Sequence, residues 1–366
     1  MKAPSFCPNH LCRYHLKAPS DVRWFKGKGF YWSQVRNRLM QRYFCFGCQK
    51  SFSEMAFHID YYAKKALSYH ELLKKQKSGS SIRDMARDFR VTTETIQNKI
   101  SRLARQAMGL HGRLTAGLEL KEELAADGFE SYCVSQYYPN NIHLLAGRDS
   151  QFLYHANYVT IRRKGRMTEE QKKKRRKLER VYRAPVRGIE SSFGEMAERM
   201  RELFNGRIVL YTDEKKEYGR VLARVKEIEH IRISSLRVRN FANPLFSVNY
   251  LDRQLRKDLK EHVRETVCFA RNVCNSMERL MVYSLYHNYM KPYRIKLKGG
   301  GESRKTHGEM AGIEREAIRS GMKTVFTRRL FLSRERVSGF MLALWKRKPV
   351  TPLKQKKEYV PQYALC

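Results

Sequence analysis

The stretch from Arg207 to Val225, RIVLYTDEKKEYGRVLARV, changes its pattern in the middle. Ile208-Val209-Leu210-Tyr211 reads as a buried strand, Asp213 follows at its end, and a charged helical rhythm begins after that. An acid at a strand-to-helix switch has a plain role as a helix cap, where a carboxylate satisfies free backbone N–H groups. A chemical role requires further acids in matching positions. Upstream, LELKEELAADGFESYCVSQYY predicts one strand carrying Asp127 and a second through Tyr132 and Val134. NNIHLLAGRDSQFLYHANYVTI predicts a third, with a turn at Gly147-Arg148-Asp149. Helices are expected over Thr168 to Tyr182 and around Ser191 to Phe204. Downstream, HIRISSL is a last strand and a long helix starts near Phe246. Strands, helix, strand, helix, strand, helix is the order of an α/β sheet that begins as a meander.

The 366 residues suffice for several domains. Lys and Arg number 74 against 36 Asp and Glu, a formal net charge of +38. A small soluble substrate does not account for that excess, whereas a polyanion does, and nucleic acid fits best. No apolar run is long enough to span a bilayer and the start MKAPSFCPNH has no signal-peptide core, so a soluble, cytosolic protein acting on DNA or RNA is expected. In a reducing compartment the eight cysteines should be ligands or free thiols.

Four of them form two tight pairs, Cys7 and Cys12 in CPNHLC, and Cys45 and Cys48 in RYFCFGCQK. Two thiolate pairs on separate turns can close a tetrahedron around one structural Zn²⁺. His10 and His15 compete for a ligand position, and Trp24, Phe25, Phe30, Tyr31, Trp32 and Tyr43 suggest the short strands of a zinc ribbon. Residues 59–110 read as helical, and SIRDMARDFRVTTETIQNKISRLARQ has helix-turn-helix rhythm. Ile82, Met85, Ala86 and Phe89 make one apolar face, Val91 closes the turn, and Thr92 or Thr93 caps the next helix. With Ile96, Ile100 and Leu103 inward, Thr93, Thr95, Gln97, Asn98, Lys99 and Arg102 are expected outward, a set suited to a major groove. Residues 161–187 hold thirteen Lys or Arg against three Glu. Lys172, Lys173, Lys174, Arg175 and Arg176 form the centre of what reads as a phosphate-contacting insertion.

The order of elements resembles the ribonuclease H-like fold of DDE transposases. In that family one catalytic Asp lies on the first strand, one at the end of the fourth, and a third acid on a later helix. Asp127 in AADGFES and Asp213 in LYTDE occupy the first two places. NPLFSVNYLDRQLRKDLKEHVRETVCFARN is similar to the end of the catalytic domain in bacterial insertion-sequence transposases, and a zinc ribbon before a helix-turn-helix is common in that group. The resemblance covers roughly residues 5–295. It implies a multidomain chain: zinc ribbon at 1–58, all-α helix-turn-helix at 59–110, α/β ribonuclease H-like domain at 111–295 with a basic insertion at about 157–190, and a basic helical extension at 296–366.

The third acid of that family is normally Glu, and here the candidates are Asp252, Asp258 and Glu261. At about 100° per residue, Leu251, Leu255, Leu259, Val263 and Val267 form an apolar stripe containing Asp252, with Asp258 to one side and Glu261 nearly opposite. A carboxylate in a core-facing stripe requires a partner, and a metal shared with two other acids is one. Asn249 and Arg256, one turn either side, adjoin that position. The triad implies two Mg²⁺ ions about 4 Å apart serving in-line phosphoryl transfer. Cys133, Cys268, Cys274 and Cys366 have no ligand spacing, His230 and His262 read as structural, KGGGES at 298–303 as a linker, and Met310 to Met322 and Arg334 to Trp345 as helices. The expected function is a transposase, with double-stranded DNA at element ends and target as partner and a second copy of the chain, a homodimer on DNA. The alternatives are a DNA-binding regulator with a non-catalytic α/β domain and a structure-selective nuclease.

Overall fold

The computed structural model of the protein describes residues 4–263, 266–294, 296, 304–354 and 357–366; the predicted linker at 298–303 lies outside them. Three strands open the chain, β1 (Phe25–Ser33), β2 (Arg38–Cys45) and β3 (Ser51–Ser53), in a small antiparallel sheet. Three helices follow: α1 (Tyr69–Lys77), α2 (Ile82–Asp88) and α3 (Thr93–Leu114). Ser81 and Asp84 form a reciprocal capping box on α2, and Thr92 caps α3 by accepting the Thr95 N–H. Residues 59–62 form a turn and 63–68 are irregular, so the helical expectation over the whole of 59–110 is corrected there.

Next come β4 (Leu124–Tyr132), β5 (Pro139–Gly147), β6 (Leu153–Ala156) and β7 (Val159–Thr160). The two strands expected over 118–134 are one, and the predicted third strand folds into a hairpin at Gly147. Then follow α4 (Glu169–Glu179), α5 (Gly188–Leu203), β8 (Ile208–Thr212), α6 (Lys216–Leu222), β9 (Ile228–Arg232), α7 (Phe246–Asp258) and α8 (Val273–Tyr289). The six-stranded mixed sheet runs β6-β5-β4-β8-β9, with β7 on β5. β4, β5 and β6 pair antiparallel, while β8 pairs parallel with both β4 and β9. α9 (His307–Met310), α10 (Arg315–Val325) and α11 (Gly339–Trp345) close the chain. The helix expected over 310–322 is broken by Gly312, at φ +94°, and starts afresh at Arg315. The second, expected from Arg334, starts only at Gly339.

One apolar core runs from Ile59 through α1–α3 and the mixed sheet to Trp345, and a smaller cluster surrounds Cys7, Cys12, Trp24 and Cys45. α7 packs on β4 and β5, and α8 on α3. α7 ends earlier than its stripe suggested. Leu259 is extended, and Asp258 accepts hydrogen bonds from the Tyr283 hydroxyl of α8 and from Lys257. Leu251, Leu255 and Leu259 are buried, but Val263 is 43% and Val267 89% exposed. Glu261, expected to face away, is buried in a single 3₁₀ turn and paired with Arg279 at 2.5 Å. Among the described residues no helix is long and apolar enough to cross a membrane.

Candidate functional site

The sheet register brings the first two acids together. Ala125 of β4 is level with Tyr211 of β8, and both acids lie two residues further along, Asp127 within β4 and Asp213 just past the end of β8. Neighbouring strands lie about 4.8 Å apart, so parallel pairing sets Asp213 beside Asp127 at the point where β8 stops and β4 continues. The faces of β4 also separate. Gly128 faces α6: a Cβ there would sit 2.7 Å from the Tyr218 hydroxyl and 2.3 Å from Asn141 Nδ2. Phe129 lies under the Arg256 guanidinium of α7, 4.5 Å from its ring centre, and packs edge-on against His262. Asp127, two residues from Phe129, shares that face. α7 therefore crosses the side on which Asp127 projects.

Electrostatics register the same cluster. Burial, and then the Asp213 carboxylate, push Asp127 up to about 6. Burial, and then Asp127, push Asp252 up to about 7, against the opposing pull of Arg256 and Arg239. Oδ1 of Asp252 is buried without a hydrogen-bond partner. Asp213 keeps part of its plain role, since its Oδ1 accepts the Lys215 N–H at 3.1 Å just before α6. Asp127 Oδ1 accepts from Gly128 N at 2.6 Å. Asp127 of β4 thus lies within electrostatic reach of Asp213 at the end of β8 and of Asp252 on α7, with one buried oxygen of Asp252 unpartnered, although the three carboxyl groups do not stand as close together as the ligands of one ion. Of the flanking residues, Asn249 donates to Leu245 O within its own helix. Arg256 donates to the carbonyls of His262 and Glu130, tying α7 to the sheet. His230 bonds Thr212, and His262 bonds Ser131.

The cysteine pairs converge as their spacing implies. The four Sγ atoms of Cys7, Cys12, Cys45 and Cys48 all lie within 4.8 Å of one another, with Cys7–Cys48 and Cys12–Cys45 both at 3.7 Å. Sulfurs at about 2.3 Å from a tetrahedral Zn²⁺ stand about that far apart, so the four can hold a metal ion such as zinc. Gly47 makes the second turn possible, because a Cβ there would fall 3.2 Å from Cys12 Sγ and 2.6 Å from the Tyr14 ring. His15 is excluded as a ligand: one ring nitrogen meets Cys7 O and the other Ser333 Oγ, both at 2.7 Å.

The expected outward face of α3 is corrected. Lys99 is buried, bonded to Asp60 and to Lys65 O. Arg102 is buried too, donating to the carbonyls of Ile59 and Tyr61. Gln97 donates to Glu278 of α8, the Thr93 hydroxyl to Glu94, and Asn98 alone of the set is exposed. The reason is tertiary: α8, α10 and α11 pack around a helix whose local pattern alone leaves one side polar. α4 is the opposite case, with none of its residues buried and Lys172, Lys173, Lys174 and Arg176 exposed, while Arg175 folds back onto Arg163 O. Two residues near the acids carry no sequence signal of their own, Tyr218, which feels Asp127 and Asp213, and Arg239, which acts on Asp127 and Asp252; the glycine directly after Asp127 is the one local sign of the close packing of Tyr218 on β4.

No protein-family model matches the chain, and no curated protein sequence matches it.

Proposed function

We propose that the protein is a metal-dependent DNA strand-transfer enzyme, a transposase of the ribonuclease H-like kind. The observation that supports this reading is the electrostatic coupling of Asp127, on a first strand, to Asp213 at the end of a later parallel strand and to Asp252 on a following helix. Mutual repulsion and burial hold two of these acids partly protonated near neutrality, which is costly unless a cation joins them. Mg²⁺ suits the all-oxygen donor set, and bound there it would supply Lewis-acid activation for phosphoryl transfer. The unpartnered Asp252 Oδ1 would complete the donor set on the α7 side. Arg239, which acts on both Asp127 and Asp252, and Arg256 supply positive charge beside the acids, where phosphate oxygens would lie. The four-cysteine module, closed by four protein ligands, would be structural. A net charge of +38 and the exposed basic helix α4 supply sequence-independent attraction to DNA.

The test is strand cleavage and joining on DNA bearing the sequences that flank the coding region. Wild type with Mg²⁺ should cut and join, while Asp127→Asn, Asp213→Asn and Asp252→Asn should each lose at least about a thousandfold in cutting yet bind the ends. Binding with no metal-dependent cutting by wild type would favour the regulator instead. Cutting without joining would favour a nuclease.

A further inference from the structure

A cleft of about 670 Å³ lies away from the three acids. Its walls are the start of α2 and of α3, the segment 267–272 before α8, and the C-terminal residues Lys354, Glu358, Tyr359 and Pro361. Seven basic side chains and three carboxylates line it; Glu261 pairs with Arg279 and Glu358 with Arg347 and Lys354, which leaves Arg83, Arg105, Lys260 and Arg271 against Glu94. Arg105 of α3 is only 6% exposed and lines the cleft, yet it makes no hydrogen bond or ion pair with any described residue. The nearby Glu278 is held by Ser101, Gln97 and Arg347. Glu278 is the first carboxylate to act on Arg105, and it is shared with Arg347, so this buried guanidinium, opening into a basic cleft, is placed to receive a further anion.

We propose that this cleft binds the phosphodiester backbone of a single nucleic-acid strand, with Arg105 as its anchoring cation. The choice of nucleic acid rests on the function proposed above; the choice of a single strand rests on the cleft. Its volume is that of a small-ligand pocket, too small for a duplex whose major groove alone is about 12 Å wide. The 80% exposed Tyr359 offers a ring face for base stacking, and the half-buried Phe269, packed against Tyr132, carries the exposed Arg271 5.9 Å from its ring centre. The start of α3, which in a free helix-turn-helix would enter a major groove, is here one wall of the cleft.

Cys268 is exposed and lines the same cleft, so its thiol reports occupancy in the unaltered protein. Alkylation by N-ethylmaleimide, mapped by mass spectrometry, is followed on the full-length metal-loaded protein without added Mg²⁺. A short mixed-sequence single-stranded DNA at about ten times its Kd should slow Cys268 alkylation about tenfold. The same sequence as duplex, or inorganic phosphate at matched ionic strength, should not. Arg105→Met and Arg271→Gln should each remove the protection, and Arg105→Met should melt no lower than wild type, since it deletes a buried charge that hydrogen-bonds none of the described residues while Glu278 keeps Arg347. Absence of protection, or protection retained in Arg105→Met, overturns the assignment. Equal protection by phosphate or duplex overturns the single-strand reading. If Arg105→Met fails to fold, the wild-type and Arg271→Gln arms still decide. Asp127→Asn should be protected like wild type, so loss of cleavage and loss of this site are read separately.

Discussion

Asp252 is the residue on which the metal reading leans hardest, and its titration supplies a test that needs no DNA. Asp127 and Asp252 bind protons more tightly folded than unfolded, with values of about 6 and about 7 against an ordinary 3.8. A folded state that holds extra protons loses stability as pH rises from about 4 to about 7, and the penalty is constant above that. Asp252→Asn should therefore stabilise the Mg²⁺-free protein at pH 8 by about 2 kcal/mol, after allowance for partial solvent screening, and have no such effect near pH 4. Saturating Mg²⁺ should raise the melting temperature of wild type more than that of the variant. Melts at both pH values, with and without the ion, check this; a variant less stable at pH 8 without metal would mean that Asp252 is held by protein partners. At this scale the position of Asp213 in the fold was legible, since a break in an apolar run marks the end of β8, as was that of Asp252, which interrupts a leucine stripe; Asp127 lies inside its strand, where the pattern carries no such mark. Lys99 and Arg102 were not legible, since their partners, Asp60 and the carbonyls of Ile59 and Tyr61, lie some 40 residues away in a segment without regular periodicity.

At the scale of elements, α3 and α4 show what local pattern conveys and what it omits. α3 has an amphipathic rhythm, but it is buried over most of its length because α8 and the C-terminal helices surround it. Its glycines mark the close contacts: a Cβ at Gly112 would lie 2.0 Å from the backbone oxygen of Arg336, which cannot swing aside. Gly112→Ala should cost about 2–3 kcal/mol in chemical denaturation; a neutral result would show that the 336 segment is loosely held. α4 needs no tertiary information, because its composition leaves nothing to bury. Neutralising Lys172, Lys173, Lys174, Arg175 and Arg176 together should leave the melting temperature within about 1 °C while lowering the salt slope of DNA binding by about four. If affinity falls for one sequence only, α4 reads bases and the electrostatic account of it is wrong. The early end of α7 was hidden because Leu259, Val263 and Val267 continue the helical spacing, although Tyr283 and Lys257 hold Asp258 where the helix stops.

For the whole molecule, the C-terminal segment ties the cysteine module to the rest. Arg334 stacks over Phe6 at 3.9 Å and donates to the carbonyls of His15 and Leu16. Ser333 holds His15, and Arg329 reaches the Ala56 and Tyr363 carbonyls. Residues remote in sequence thus seat the metal module against the body, a relation no local reading of the basic C-terminal tail contains. Cys45→Ser should lose about one equivalent of zinc per chain and lower the melting temperature. Unchanged metal content by elemental analysis would remove the four-cysteine site. The account as a whole stands on Asp127, Asp213 and Asp252. A crystal grown with Mn²⁺ and measured for anomalous scattering reads that site directly. The predicted result is an anomalous peak touched by carboxylate oxygens of Asp127, Asp213 and Asp252, and absent in Asp127→Asn. Full occupancy of Mn²⁺ elsewhere with these three carboxylates empty would contradict it.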